Sequence, residues 1–142
     1  MPDETQNLIS PYSYDVLRHE LLPILLGEEE NIILYWGGKS LARKHKLMET
    51  EALQNWFQEA NWGRLELIKD KKNERTYEVT TSSYEADRPY SLETGFIAQM
   101  VELEKELLAE ASYEVKKKKP VVFQITVRWD KKDPTAPNAP LT

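Results

Sequence analysis

The chain has 142 residues, 40% hydrophobic and 30% charged, with four tryptophans, seven tyrosines and three phenylalanines, enough for one compact core and too little for two. It has no cysteine, which removes disulfides, thiolate metal sites and thiol nucleophiles together. With no signal-peptide pattern and no apolar run long enough to cross a bilayer, the expectation is a cytoplasmic protein without membrane insertion, and a net charge of −5 argues against a nucleic-acid partner, whose affinity would come from neutralising phosphates.

Residues 1–10 read as a flexible N-terminus. Ser10-Pro11 or Ser13 then opens a first helix with Tyr14, Leu17, Leu21 and Ile24 on one face, kinked or ended at Pro23. This part of the chain is acidic: Asp3, Glu4, Asp15, Glu20 and Glu28 to Glu30 stand against Arg18 alone. Gly27 and the glutamate run separate that helix from the segment Asn31 to Lys46, which admits two readings. Ile32 to Trp36 could be a strand feeding a phosphate-binding loop at Gly37-Gly38-Lys39-Ser40, but the glycine such a loop needs five residues before Gly38 is Ile33. Alternatively Leu34, Gly37, Gly38 and Leu41 lie on one face of a helix, and the paired glycines admit close approach of another element. The packing helix is the reading taken here.

Thr50 and Glu51 give a capped, acidic start to a third helix carrying Leu53, Trp56 and Phe57, stopped by Gly63. The period then changes to two. Leu65 and Leu67, a turn at Asp70 to Asn73, and Tyr77, Val79 and Thr81 make a hairpin. Pro89 and Ser91 precede a long amphipathic helix whose stripe of Leu92, Phe96, Met100, Leu103 and Leu107, widened by Ile97, Val101 and Leu108, should lie across a sheet. Tyr113 and Val115 begin a second hairpin, turned at Lys116 to Lys119. Its return strand puts Val121, Phe123, Ile125, Val127 and Trp129 on one face. Residues 131–142, rich in proline, read as a disordered tail. The sum is a single α+β domain over 11–130: two layers, an antiparallel four-stranded sheet with helices on one face.

From Leu34 to Arg128 several motifs carry a resemblance. They are the Leu-Tyr-Trp-Gly-Gly-Lys-Ser-Leu-Ala helix, the entry Asn61-Trp62-Gly63-Arg64-Leu65-Glu66-Leu67 into the first strand, Thr94-Gly95-Phe96-Ile97-Ala98 in the long helix, and the valine-rich closing strand. On these the chain resembles the four-vinyl-reductase domain and the small subunits of the TRAPP tethering complex, within the superfamily that includes haem nitric-oxide sensors. Over its full length it is most similar to the YslB-type family of Firmicute proteins. The resemblance implies a TRAPP-component-like fold, dimerisation through the N-terminal helices and, in some relatives, an apolar ligand pocket between helices and sheet. The chain departs from these relatives in lacking their cysteines and the Tyr-x-Ser-x-Arg motif of the haem sensors.

No catalytic, cofactor-binding or metal residue is expected. His19 and His45 have no i, i+4 partner that makes a recognisable metal motif, and the glutamates of the long helix read as its solvated side. Tyr35, Trp36, Gly37, Gly38, Trp56, Phe57 and Phe96 form the candidate apolar pocket or interface, and the aromatics among them could equally fill a core. The expected function is a non-enzymatic cytoplasmic dimeric module that binds a protein partner or an apolar small molecule. The alternative is a nucleotide-dependent switch or enzyme using Gly37 to Ser40. The expected partner is a second copy, held through the N-terminal helices.

Overall fold

The computed structural model describes residues 11–47, 49–82 and 88–134. The expected flexible start at 1–10 and the tail beyond Pro134 lie outside the described residues. One run of helical backbone opens the chain: α1 (Pro11–Asp15), a π-helical turn (Val16–Leu21) and α2 (Leu22–Leu26). Leu22 N–H reaches back to the carbonyl of Leu17. This wider turn lies just ahead of Pro23, whose ring would crowd the His19 carbonyl in a regular α-helix. Gly27, at a φ of 58°, ends the run, and a single 3₁₀ turn (Gly27–Glu29) leads into α3 (Glu30–His45). Lys46 closes α3 in the left-handed conformation.

Next comes α4 (Thr50–Glu59). Thr50 is its first helical residue rather than its cap: the cap position belongs to Glu49, which makes no side-chain capping bond. The sheet follows as β1 (Arg64–Asp70) and β2 (Glu74–Thr80), then α5 (Ser91–Lys105), β3 (Leu107–Lys118) and β4 (Val121–Pro134). All pairings are antiparallel, in the order β1-β2-β4-β3. Two boundaries and the alternation of one strand differ from the sequence reading. The long helix ends at Lys105, because Glu106 takes a left-handed turn and Leu107 and Leu108 start β3; their spacing from Leu103 fits a helix, but the chain has already reversed. β4 runs past Asp130 to Pro134, pairing as far as Leu107, so the expected tail begins inside a strand. On β1 a bulge between Leu67 and Lys69 breaks the alternation beyond Leu67; of the two leucines ahead of it, Leu65 is buried and Leu67 exposed.

The sheet's inner face is Tyr77 and Val79 of β2, Ala109 of β3, and Val121, Phe123, Ile125, Val127 and Trp129 of β4, all buried. Across it lies α5. A surface helix buries one stripe, but Ser91, Glu93 to Val101 are all buried, because α3 covers the side that the sheet does not. The order of contacts, Asn31 to Ser91 and Arg43 to Gln99, shows the two helices running in the same direction.

The α3–α5 crossing depends on two glycines. A methyl group at Gly38 would meet the backbone carbonyl of Leu92 and, at 2.7 Å, the nitrogen of Phe96; one at Gly95 would meet the carbonyl of Tyr35. Each helix thus lends the other a bare stretch of backbone, which a single Cβ would force apart. Gly37 has no such part, since a Cβ there would sit 3.8 Å from the Leu92 side chain, an ordinary contact. The expected paired notch is one glycine on each helix.

Candidate functional site

The seven residues of the expected pocket divide between two places. Trp56 and Phe57 of α4 and Phe96 of α5 meet Trp62 in a packed cluster. Trp56 stacks on Phe96 at 4.5 Å between centroids, and Trp62 presents an edge to each of the other three rings at 4.7 to 5.4 Å. Phe57 and Phe96 have no exposed surface. This interior is filled, with rings spaced as close packing requires. Gly38 closes the helix crossing above it.

Tyr35 and Trp36 lie elsewhere, on the side of α3 that faces the edge strand β3. With Lys39, Glu102 and the run Leu108 to Ala111 they line a groove of about 460 Å³. The Tyr35 hydroxyl accepts the Ala111 N–H at 3.2 Å, and the Glu102 carboxylate accepts the Ala109 N–H at the same distance. These two edge N–H groups, with no further strand to bond, are therefore satisfied by helix side chains. Burial pushes the Tyr35 phenol up, more than the Ala111 hydrogen bond lowers it, and the Glu110 and Glu102 carboxylates add to the rise. Trp36 is 59% exposed and Leu108 46%. The side chain of Lys39 is 13% exposed, its ammonium 3.7 Å from Glu102 and 5.8 Å from the centre of the Tyr35 ring.

Gly37 to Ser40 lie inside α3, not in a loop. Their N–H groups belong to the helix ladder and cannot curl round a phosphate, so the segment does not form the phosphate cradle of the alternative reading.

The N-terminal helix holds what the sequence did not disclose. Arg18 and Glu93, 4% and 1% exposed, form a two-pronged ion pair with bonds of 2.7 and 3.1 Å. Arg18 also donates to the Tyr14 hydroxyl at 2.7 Å and to the Pro89 carbonyl at 3.3 Å. Burial alone would lower the Arg18 guanidinium; the Glu93 carboxylate and, less, the Tyr14 hydroxyl together more than offset this and raise it above its ordinary value. Burial pushes the Tyr14 phenol up to about 12, against the pull of Arg18. His19 is lowered, first by burial and then by the Arg18 charge, with Asp15 opposing. Beside this network, Tyr14, Asp15, His19, Asn61, Trp62, Thr81, Ser82, Tyr90 and Glu93 border a cavity of about 20 Å³, room for a single water with several polar neighbours. The one signal in the sequence was Arg18 itself, four residues after Tyr14 in an otherwise acidic segment.

With Arg18 and His19 turned inward, the expected stripe keeps only Tyr14 against the core and turns the rest out. Leu17, Leu21, Ile24 and Leu25 are exposed, Leu17 at 58% and Ile24 at 77%, and Ile32 and Ile33 continue the pattern on α3. Leu17, at the start of the π turn, already faces out, and for the residues after Leu21 the turn itself is a physical reason. Each of its residues advances less round the axis than an α-helical residue, so positions beyond it leave the phase that a period of 3.6 assigns them; Leu22 and Leu26 take the half-buried side instead.

A second buried arginine, Arg75 on β2, bonds both carboxylate oxygens of Glu104 at 3.0 and 3.1 Å, as well as Asp70 and the Tyr77 hydroxyl. It clamps the end of α5 to the first hairpin. Among the described residues no group of three or more potential ligands is placed to hold a metal ion, and no helix is long and apolar enough to cross a membrane.

Residues 11–128 match the family described as protein of unknown function, DUF2507. The chain belongs to this family. It is 36% identical over 132 residues to the uncharacterized protein YslB of Bacillus subtilis, an alignment covering 89% of this chain and 88% of that protein. Among solved structures it is similar to a vinyl-4-reductase family protein from Methanocaldococcus jannaschii, with a TM-score of 0.62 over 87% of this chain and 84% of the other, at 15% identity. That likeness shows the fold: an α+β domain with a four-stranded antiparallel sheet, as the resemblance implied.

Proposed function

We propose that this DUF2507 protein is a non-enzymatic cytoplasmic module that acts as a symmetric dimer, joined through the outward faces of its N-terminal helix and α3. The observation that carries this reading is the inverted burial of the first helix. Scattered surface leucines need no explanation, but Leu17, Leu21, Ile24 and Leu25 on one helix, followed by Ile32 and Ile33 on the next, are exposed while an arginine and a histidine are buried in their stead. An apolar face of this extent is what an interaction surface looks like. The charge layout of α3 favours a second copy. Glu28 to Glu30 precede or open this helix, and Arg43, Lys44 and Lys46 end it. Two copies of α3 laid antiparallel about a two-fold axis would set each acidic end beside the other's basic end, with the isoleucines between. The filled aromatic interior leaves this outer face, rather than an internal apolar pocket, as the support for binding. The absence of cysteine suits a reducing compartment.

Sedimentation velocity at tens of micromolar tests the proposal. The full chain should sediment as a dimer, and the doubly substituted Ile24→Glu, Leu25→Glu chain as a folded monomer, since both side chains point to solvent within one copy. A monomeric full chain would sink the reading.

A further inference from the structure

We infer that the N-terminal helix, residues 11–26, is an arm exchanged between the two copies of the dimer, so that Arg18 of each copy pairs with Glu93 of the other. The exchange presupposes the dimer proposed above and specifies how it is built. Little ties the arm to its own body. The buried apolar core begins at Ala42, and among the described residues of the arm Tyr14 alone packs against it. α2 has no buried residue. What holds the arm is polar: the Arg18 guanidinium donates to the Glu93 carboxylate and the Pro89 carbonyl. Beside that clamp the junction is incompletely filled, since the cavity of about 20 Å³ lies between Tyr14 and His19 of the arm and Trp62, Thr81 and Tyr90 of the body. A helix docked by one ion pair and one ring can dock in the same way on an identical body, and an exchanged dimer keeps every such contact.

The hinge is suited to opening. Gly27 turns the chain at a φ of 58° and a ψ of −135°, a conformation that glycine takes readily and other residues resist. A Cβ there would meet no atom within 4 Å, so no neighbour obstructs movement of the turn. Glu28 to Glu30, which follow, are good helix formers. Straightening Gly27–Glu29 would join α2 to α3, and exposed residues from the two sides of the hinge would then form one stripe. At 3.6 residues per turn Leu21, Leu25, Ile32 and Trp36 lie within about 60° of one another on such a helix. The two halves of the apolar surface, separated by the bent turn, become continuous when it opens.

The test mixes two full-length variants, Arg18→Glu and Glu93→Arg. Each alone sets like charges together in the buried site, whichever copy the arm docks on, and should lose several degrees of melting temperature and release its arm to proteolysis. In a mixed dimer with exchanged arms both sites regain opposite charges. An equimolar mixture, unfolded in urea and refolded together, should therefore recover most of the lost melting temperature and appear in native mass spectra as a dimer with one chain of each kind. Arms docked on their own bodies restore no pair in the mixture, so an absence of recovery would overturn the inference. Gly27→Ala in the otherwise unchanged chain is a second variant, independent of the ion pair. It adds a methyl group in open space and disfavours the bent hinge, so it should tighten the dimer roughly tenfold; an unchanged or weaker dimer would also overturn the exchange. A dimeric full chain whose variants fail to complement removes the exchange and leaves the dimer standing, whereas a monomeric full chain removes both.

Discussion

Two helices of this molecule, α5 and the N-terminal helix, look alike in sequence and are used in opposite ways. Both mix leucines and isoleucines with charged residues at helical spacing. In α5 almost every residue is buried, Glu93, Thr94 and Gln99 included, because one side meets the sheet and the other meets α3. The N-terminal helix turns Arg18 and His19 in and Leu17, Leu21, Ile24 and Leu25 out. What separates them is the number of neighbours each has, and amphipathic pattern alone does not encode that. An element packed on two sides must satisfy buried polar groups as well as apolar ones, and Glu93, Ser91 and Gln99 do so through Arg18, Asn31 and Arg43.

The contrast breaks most sharply at the contact the two helices share. Glu93→Gln would leave Arg18 buried without a charge partner, and breaking such a pair costs about 3–5 kcal/mol. Urea unfolding should show that loss, and proteolysis near the N-terminus should show the first helix released before the rest. A loss of unfolding free energy below a tenth of that amount would mean that the helix is held by something other than this pair.

Next in size is the α3–α5 crossing. Gly38→Ala should destabilise by about 1–3 kcal/mol through overlap with backbone that cannot move aside, whereas Gly37→Ala should be neutral or stabilise by up to about 1 kcal/mol through helix propensity. Thermal melts of the pair should therefore move in opposite directions or differ by several degrees; equal shifts would place the close approach elsewhere.

A smaller effect concerns pH. His19 is lowered by burial and by Arg18, so the folded state favours the neutral ring. Its contribution is present above the ordinary histidine value of about 6.5 and is lost as pH falls below it, because the unfolded chain takes up the proton first. Melting temperature should decline from pH 7 towards pH 5.5, and His19→Gln should flatten that part of the profile. The smallest change is expected at Leu17 or Ile24 replaced by serine, within about 0.5 kcal/mol for a single copy; in a dimer the same change would lower stability at high protein concentration more than at low.

Much of the sheet was legible. The strict alternation from Val121 to Trp129 and the hairpin turn after Asp70 are local patterns, and local patterns survive folding when one face is packed; the second turn falls at Lys119-Pro120, after Lys116 to Lys118 have extended β3. The Gly37-Gly38 pair pointed to a close helix contact, although only the partner backbone tells which glycine carries it. Three things were hidden because they depend on distant residues or on a local change of helical pitch. The end of α5 is set by a left-handed glutamate, a residue with no special preference for that conformation. The phase of the first helix is reset by a π turn ahead of Pro23. The pairing of Arg18 with Glu93 joins positions far apart in the chain, and no spacing rule connects them. The aromatic residues, read as one set that could line a pocket or fill a core, divide instead, and the split between Trp56, Phe57 and Phe96 inside and Trp36 outside follows from which helix each one rides.

The capping of strand β3 has a consequence for solubility. An unpaired strand edge is a template on which further chains can stack. Here Tyr35 and Glu102 occupy the Ala109 and Ala111 donors, and farther along the same strand Lys116 to Lys118 place like charges where an incoming copy would need to lie. Replacing Tyr35 with phenylalanine would keep the ring and remove the cap, exposing one link of the ladder, so resistance to fibrous aggregation in this protein would rest partly on a single phenolic oxygen.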